Sequence, residues 1–171
     1  MGILSWLGIR QGDEYPNLDA LLKELKRALP DHESVVLRYI AIVVVLLSKV
    51  AWADGNFSDG EEEELRELLA HIDKLSPSAV DAVCTKLRVQ APEVNEEELA
   101  LCYRELKALC DGRERMEVMR LLTQLAAADG EPTETEHAAL KSIADELGIP
   151  ADDLASVEQE VANEHREARE D

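Results

Sequence analysis

The chain has 171 residues, enough for one domain that buries about 70% of its unfolded surface without a disulfide or metal. Thirty-seven Asp and Glu against 18 Lys and Arg leave a net charge of −19, which repels phosphate backbones and anionic lipid and favours cations and basic partners. Aromatic residues are 4% of the chain, too few for a base-stacking platform, and Cys84, Cys102 and Cys110 have neither CxxC spacing nor an even count. The cysteines read as buried thiols of a reduced, cytoplasmic protein.

The apolar start MGILSWLGIRQGD has no basic n-region and no cleavage site, so it reads as a segment packed on the body rather than a signal peptide, with at most weak peripheral membrane association. Leu18, Leu21, Leu22, Leu25 and Leu29 follow helical spacing up to Pro30. Asp31 is the expected cap of a second helix running to about Ala53. Its apolar run Tyr39 to Leu47 is too short to span a bilayer and is expected at the centre of the bundle. A third helix follows Ser58, with Leu65, Leu68, Leu69 and Ile72 inward and Glu61 to Glu64 in its first turn, where the helix dipole favours acids.

Ser76-Pro77 opens a fourth helix, with Val80, Val83, Cys84 and Leu87 inward, and Ala91-Pro92 starts a linker. Asn95 and Glu98 form a capping pair before the stripe Leu99, Cys102, Leu106, Leu109 and Cys110. Asp111-Gly112 breaks that helix, and the sixth runs from about Arg113 to Ala128. Thr133 caps the seventh, which Gly148 stops, and a last helix carries Leu154, Val157 and Val161. The expected fold is all-α, a compact bundle of seven to nine helices. The expected organisation is an apolar segment over 1–17, a helical domain over 18–162 and a polar, fraying tail over 163–171.

The second and third helices repeat in the sixth and seventh at an offset of 75 residues. LLSKVAWADGNFSDGEEEELRELL (46–69) aligns without a gap on LLTQLAAADGEPTETEHAALKSIA (121–144), giving the unit A-D-G-x-x-[ST]-x-x-E between apolar helices. Two pseudo-symmetric helical hairpins are expected. Gly55 and Gly130 suit left-handed helix ends, and Ser58 with Glu61, and Thr133 with Glu136, have capping-box spacing. Asp54 and Asp129 sit at helix C-termini, where the dipole disfavours a carboxylate, so each needs an N–H-rich, cationic or basic neighbour. Neither turn is an EF-hand: position 6 of the first loop is Asp59 instead of Gly, and position 12 is Leu65. Asp54, Asn56, Ser58 and Glu61, and Asp129, Glu131, Thr133 and Glu136, are the candidate oxygen ligands. They suit a hard cation such as Ca²⁺ or Mg²⁺, or else serve only as caps.

The doubled unit, covering about Val35 to Leu154, resembles the tellurite-resistance B (TerB-like) family and is similar to the N-terminal domain of the membrane-anchored co-chaperone DjlA. The resemblance implies a compact all-helical cytoplasmic domain without established enzymatic activity and with an acidic, metal-related site at Asp54, Glu61, Asp129 and Glu136. The His-Pro-Asp tripeptide of a J domain does not occur, so the co-chaperone role does not transfer, and Pro132 stands where the first copy has Phe57. No GxSxG, P-loop or dinucleotide fingerprint is present. No histidine pair has ligand spacing, although His137, next to Glu136, is a further candidate ligand there. Trp52 reads as a core or turn-packing residue, and His71 as a rim residue of the third helix. The expected function is a non-enzymatic bacterial stress-response domain that binds a divalent cation or a basic protein partner through the acidic turns. The alternatives are a structural adaptor and a small metal-dependent hydrolase.

Overall fold

Heptad-like apolar stripes separated by Pro, Gly and capping residues build helices that can bury one face each. The computed structural model describes residues 15–70, 76–89 and 94–170. The N-terminal segment through residue 14, His71, Ile72 and the Ala91-Pro92 linker lie outside these. Among the described residues there are eight helices and no strand: α1 Pro16–Ala28, α2 Ser34–Ala51, α3 Asp59–Ala70, α4 Pro77–Val89, α5 Glu96–Leu109, α6 Gly112–Ala126, α7 Glu134–Leu147 and α8 Ala151–Glu170.

Helix α2 is the hub, packing against α1, α5, α6 and α7. Every residue from Ile40 to Leu47 is buried, while Tyr39, expected with them, is half-buried. By length and composition α2 could cross a membrane, yet most of it is buried inside the protein. Its surroundings are the inward stripes of the neighbouring helices, including Leu65, Leu69, Leu122, Leu125, Leu140 and Ile143, all buried in one core with it. Removing each such side chain from water contributes about 1.5–3 kcal/mol, which is what fixes α2 at the centre.

Several helix ends differ from expectation. Asp31 does not cap α2; the N-cap position is Glu33, with no side-chain bond to the helix. Asp111 is more than a break, because it caps α6 in a full capping box with Glu114. Helix α8 includes the polar stretch from Asn163 to Glu170, and the Arg120 guanidinium binds Glu160 at 2.8 Å and also Glu164. The three cysteines are buried free thiols, as expected.

Two buried carboxylates tie the bundle across long sequence separations. Glu105 of α5 takes a two-pronged ion pair from Arg38 of α2, at 2.5 Å from Nε and 2.9 Å from the second guanidinium nitrogen. Glu98, fully buried, closes a capping box with Asn95 and also accepts N–H groups at the start of α1.

Candidate functional site

The two copies of the repeat are α2–turn–α3 and α6–turn–α7; α6 packs directly on α7, whereas α2 and α3 barely touch each other, and the copies pack together, α2 against α6 and α7, and α3 against α6. Their turns share the same backbone bonds. The Trp52 N–H donates to the Ser48 carbonyl as the Ala127 N–H does to Thr123, and the Gly55 N–H donates to Trp52 as the Gly130 N–H does to Ala127. Both glycines have positive φ, 84° and 139°, which removes any residue with a Cβ from easy use there.

Both expected capping boxes form. The Ser58 N–H donates to Glu61 Oε2 at 2.8 Å, and the Glu61 N–H donates to Ser58 Oγ at 3.0 Å. In the second copy the Thr133 N–H and hydroxyl both donate to Glu136 Oε2, at 2.7 and 2.8 Å, and the Glu136 N–H reaches Thr133 Oγ1 at 3.3 Å. Capping pulls both glutamates off the surface: Glu61 and Glu136 are 4% and 6% exposed.

Burial leaves Glu61 incompletely satisfied, because its Oε1 has no hydrogen-bond partner. Burial pushes its carboxyl up to about 7. The Ser58 hydrogen bonds oppose that rise, and the negative charges of Glu136 and Asp129 add to it. The two turns therefore lie near enough for the charges of Asp129 and Glu136 to act on Glu61.

The contact that brings Asp129 in is with Gly60. A Cβ built on Gly60 would stand 1.9 Å from Asp129 Oδ1 and 3.0 Å from its Cγ, so this carboxylate lies directly over the first turn of α3. The equivalent Asp54 does something else. It is exposed, and its Oδ1 accepts the Asn56 N–H at 2.8 Å inside its own turn. Sequence equivalence of the two aspartates thus does not extend to their placement.

The remaining candidates fall outside the cluster. Asn56 serves its own turn, and Ser58 and Thr133 act as caps. Glu131 is exposed and, with Thr133, lines a groove of about 680 Å³ between the second turn and α8. His137 lines the same groove and contacts Glu158 of α8 at 2.8 Å through Nδ1, pointing to α8 instead of joining the acidic cluster. Trp52 is turn packing: its indole N–H donates to the Leu87 carbonyl at 3.0 Å, and its ring lies 6.3 Å from Phe57. Gly60 was missed in the sequence. The signal was present, since the gapless repeat pairs it with Thr135, the one place in the capped turn where a glycine replaces a side chain.

Among the described residues no three Asp, Glu, His or Cys side chains form a ready-made metal cluster. A cation beside Glu61 would need water and backbone carbonyls to complete its shell.

Residues 40–159 match the sequence model of the family described as tellurite resistance protein TerB. The match spans most of the chain and contains both acidic turns, so the chain belongs to this family. No curated protein and no solved structure matches it.

Proposed function

We propose that this TerB-family chain is a non-catalytic binding domain of the bacterial cytoplasm, acting in a tellurite-type stress response, whose acidic turns hold a divalent cation. The observation that carries this reading is the buried Oε1 of Glu61, left without a hydrogen-bond partner while the charges of Glu136 and Asp129 act on its carboxyl. A buried polar atom without a partner costs about 1–3 kcal/mol, and like charges facing it add to that cost. A hard cation relieves both at once, and Ca²⁺ or Mg²⁺ takes carboxylate, carbonyl and water oxygens of this kind. With Asp129 exposed and no three ligating side chains grouped among the described residues, the expected binding is weak.

The test is titration of the metal-free protein with calcium or magnesium chloride, followed by calorimetry and thermal melting. A rise in melting temperature with metal in the parent, absent in Glu61→Gln, supports the reading through linkage. No heat and no shift at millimolar metal leaves the carboxylates as helix caps and makes the domain a structural adaptor.

A further inference from the structure

We infer that the groove between the second turn and α8 is a binding slot for a small planar aromatic molecule that carries an amine. The slot comes from the duplication: the first copy fills the matching place with its own aromatic rings, and the second copy leaves it open. The inference is independent of the cation reading above.

The correspondence between the copies extends to the helix that follows each of them. Helix α4 follows α3 as α8 follows α7, and their buried stripes have the same spacing, Val80, Val83 and Leu87 in one and Leu154, Val157 and Val161 in the other. In the first copy Trp52 reaches from the end of α2 to α4, where its indole N–H donates to the Leu87 carbonyl at 3.0 Å. Its ring lies 6.3 Å from that of Phe57, which is buried. Two aromatic rings thus close the space between the first turn and α4. At the matching positions of the second copy stand Ala127, Pro132 and Val161. Ala127 and Val161 pack with Val157 in a small cluster apart from the main core. Ala127, Pro132 and Val161 all line the groove of about 680 Å³. The small side chains therefore leave open what Trp52 and Phe57 close.

The size of the groove falls within the range of about 300–1,000 Å³ that suits small ligands. A ring laid against Ala127, Pro132 and Val161 buries apolar surface as the two aromatic side chains of the first copy do. Charge selects the rest of the molecule. Glu131 and Glu134 are exposed on the lining, and Glu158 is held by His137 at 2.8 Å. Arg166 is the one permanent cation among the described residues of the lining, and its guanidinium is engaged by Asn163 Oδ1 at 2.6 Å. On a chain of net charge −19 this rim repels an anionic ligand and draws in an amine.

The experiment titrates tryptamine, indole and indole-3-acetate into the full chain in metal-free buffer and reads calorimetry and amide chemical shifts. Tryptamine binds roughly two- to fivefold tighter than indole, as exposed carboxylates near an amine allow, and indole-3-acetate binds more weakly than both. The amides that shift are those around the groove, at Ala127, His137 and Val161. Pro132→Phe restores the ring of the first copy and lowers tryptamine affinity about tenfold or more. Ala162→Trp fills the same groove from an exposed position on α8, does the same, and leaves the turn untouched. Thermal melting is the control for folding of both variants. No binding of tryptamine or indole by the parent, shifts confined to another part of the protein, or undiminished binding by a folded variant overturns the slot. Indole-3-acetate as the tightest of the three overturns the charge selection and with it the ligand class.

Discussion

Asn17 gives the Glu98 carboxylate both its backbone N–H, at 3.0 Å to Oε1, and its side-chain amide, at 3.1 Å to Oε2. The Leu18 and Asn95 N–H groups complete the set at 3.3 and 3.2 Å, so one fully buried carboxylate caps α5 and holds the start of α1. Burial pushes the pKa of this carboxyl up, but the donors from Asn17, Asn95 and Leu18 outweigh it and hold the pKa below the ordinary value of 4.5. A depressed carboxylate contributes stability that is complete above its unfolded pKa and is lost as pH falls through the folded one. Glu98→Gln keeps one acceptor and turns an amide N–H₂ toward N–H donors. It should cost about 1–3 kcal/mol in urea unfolding at pH 7 and flatten the acid limb of the stability curve. An unchanged acid limb would show that α1 is held by its leucines alone.

Arg38 and Glu105 make the opposite test of buried charge. Glu105→Ala strands a guanidinium that is 8% exposed and should cost about 3–5 kcal/mol. The double replacement Arg38→Met with Glu105→Leu removes both charges and should fall within about 1–2 kcal/mol of the parent. Chemical unfolding of the three proteins checks this, and a double mutant as weak as the single one would mean that shape, not charge, is what α2 and α5 share.

Glu61 runs counter to Glu98. Its pKa rises from 4.5 to about 7 on folding, so the folded state binds this proton more tightly. The associated stability is fully present below about pH 4.5 and is lost as pH climbs through about 7. Glu61→Gln keeps an acceptor for the Ser58 N–H and cannot ionise. In metal-free buffer it should exceed the parent by about 1–3 kcal/mol at pH 8 and by less at pH 5, read from denaturant midpoints. A parent and variant separated equally at both values would exclude this ionisation as the cause.

The thiols give a check on packing. Burial pushes Cys84 up to about 11 and Cys102 up to about 12, and it raises Cys110 as well. Almost no thiolate exists at neutral pH, and thiolate is the reactive form. Labelling with a disulfide reagent at pH 7.5 should proceed at the rate of unfolding, and three thiols should appear at once in denaturant. A fast phase in native buffer would locate an opening near that cysteine.

Helices, turns and capping boxes were legible because their causes lie within a few residues: an apolar stripe, a glycine at a helix end, a cap with Glu three places on. Asp111 and Glu114 carry that same local signal, and reading Asp111-Gly112 only as a break passed over it. What the sequence hid is long-range. Arg38 reads as the polar edge of an apolar run, and only packing shows it turned inward toward a carboxylate 67 residues away. The repeat made Asp54 and Asp129 look alike because periodicity records descent and local geometry, whereas what each carboxylate meets differs: Asp129 lies over Gly60 of the other copy, and Asp54 accepts the Asn56 N–H of its own turn.

The central position of α2 has a consequence for the birth of the chain. Helix α2 is complete at Ala51, but its partner α7 ends only at Leu147. At about 5–20 residues per second the ribosome needs on the order of 5–20 s to make that interval. Until then, the most oily helix of the protein lacks part of the cover it later has, and it is long and apolar enough to be mistaken for a membrane anchor. The acidic stretch that follows at Glu61 to Glu64 emerges well before α7 and keeps the nascent segment charged and soluble while it waits.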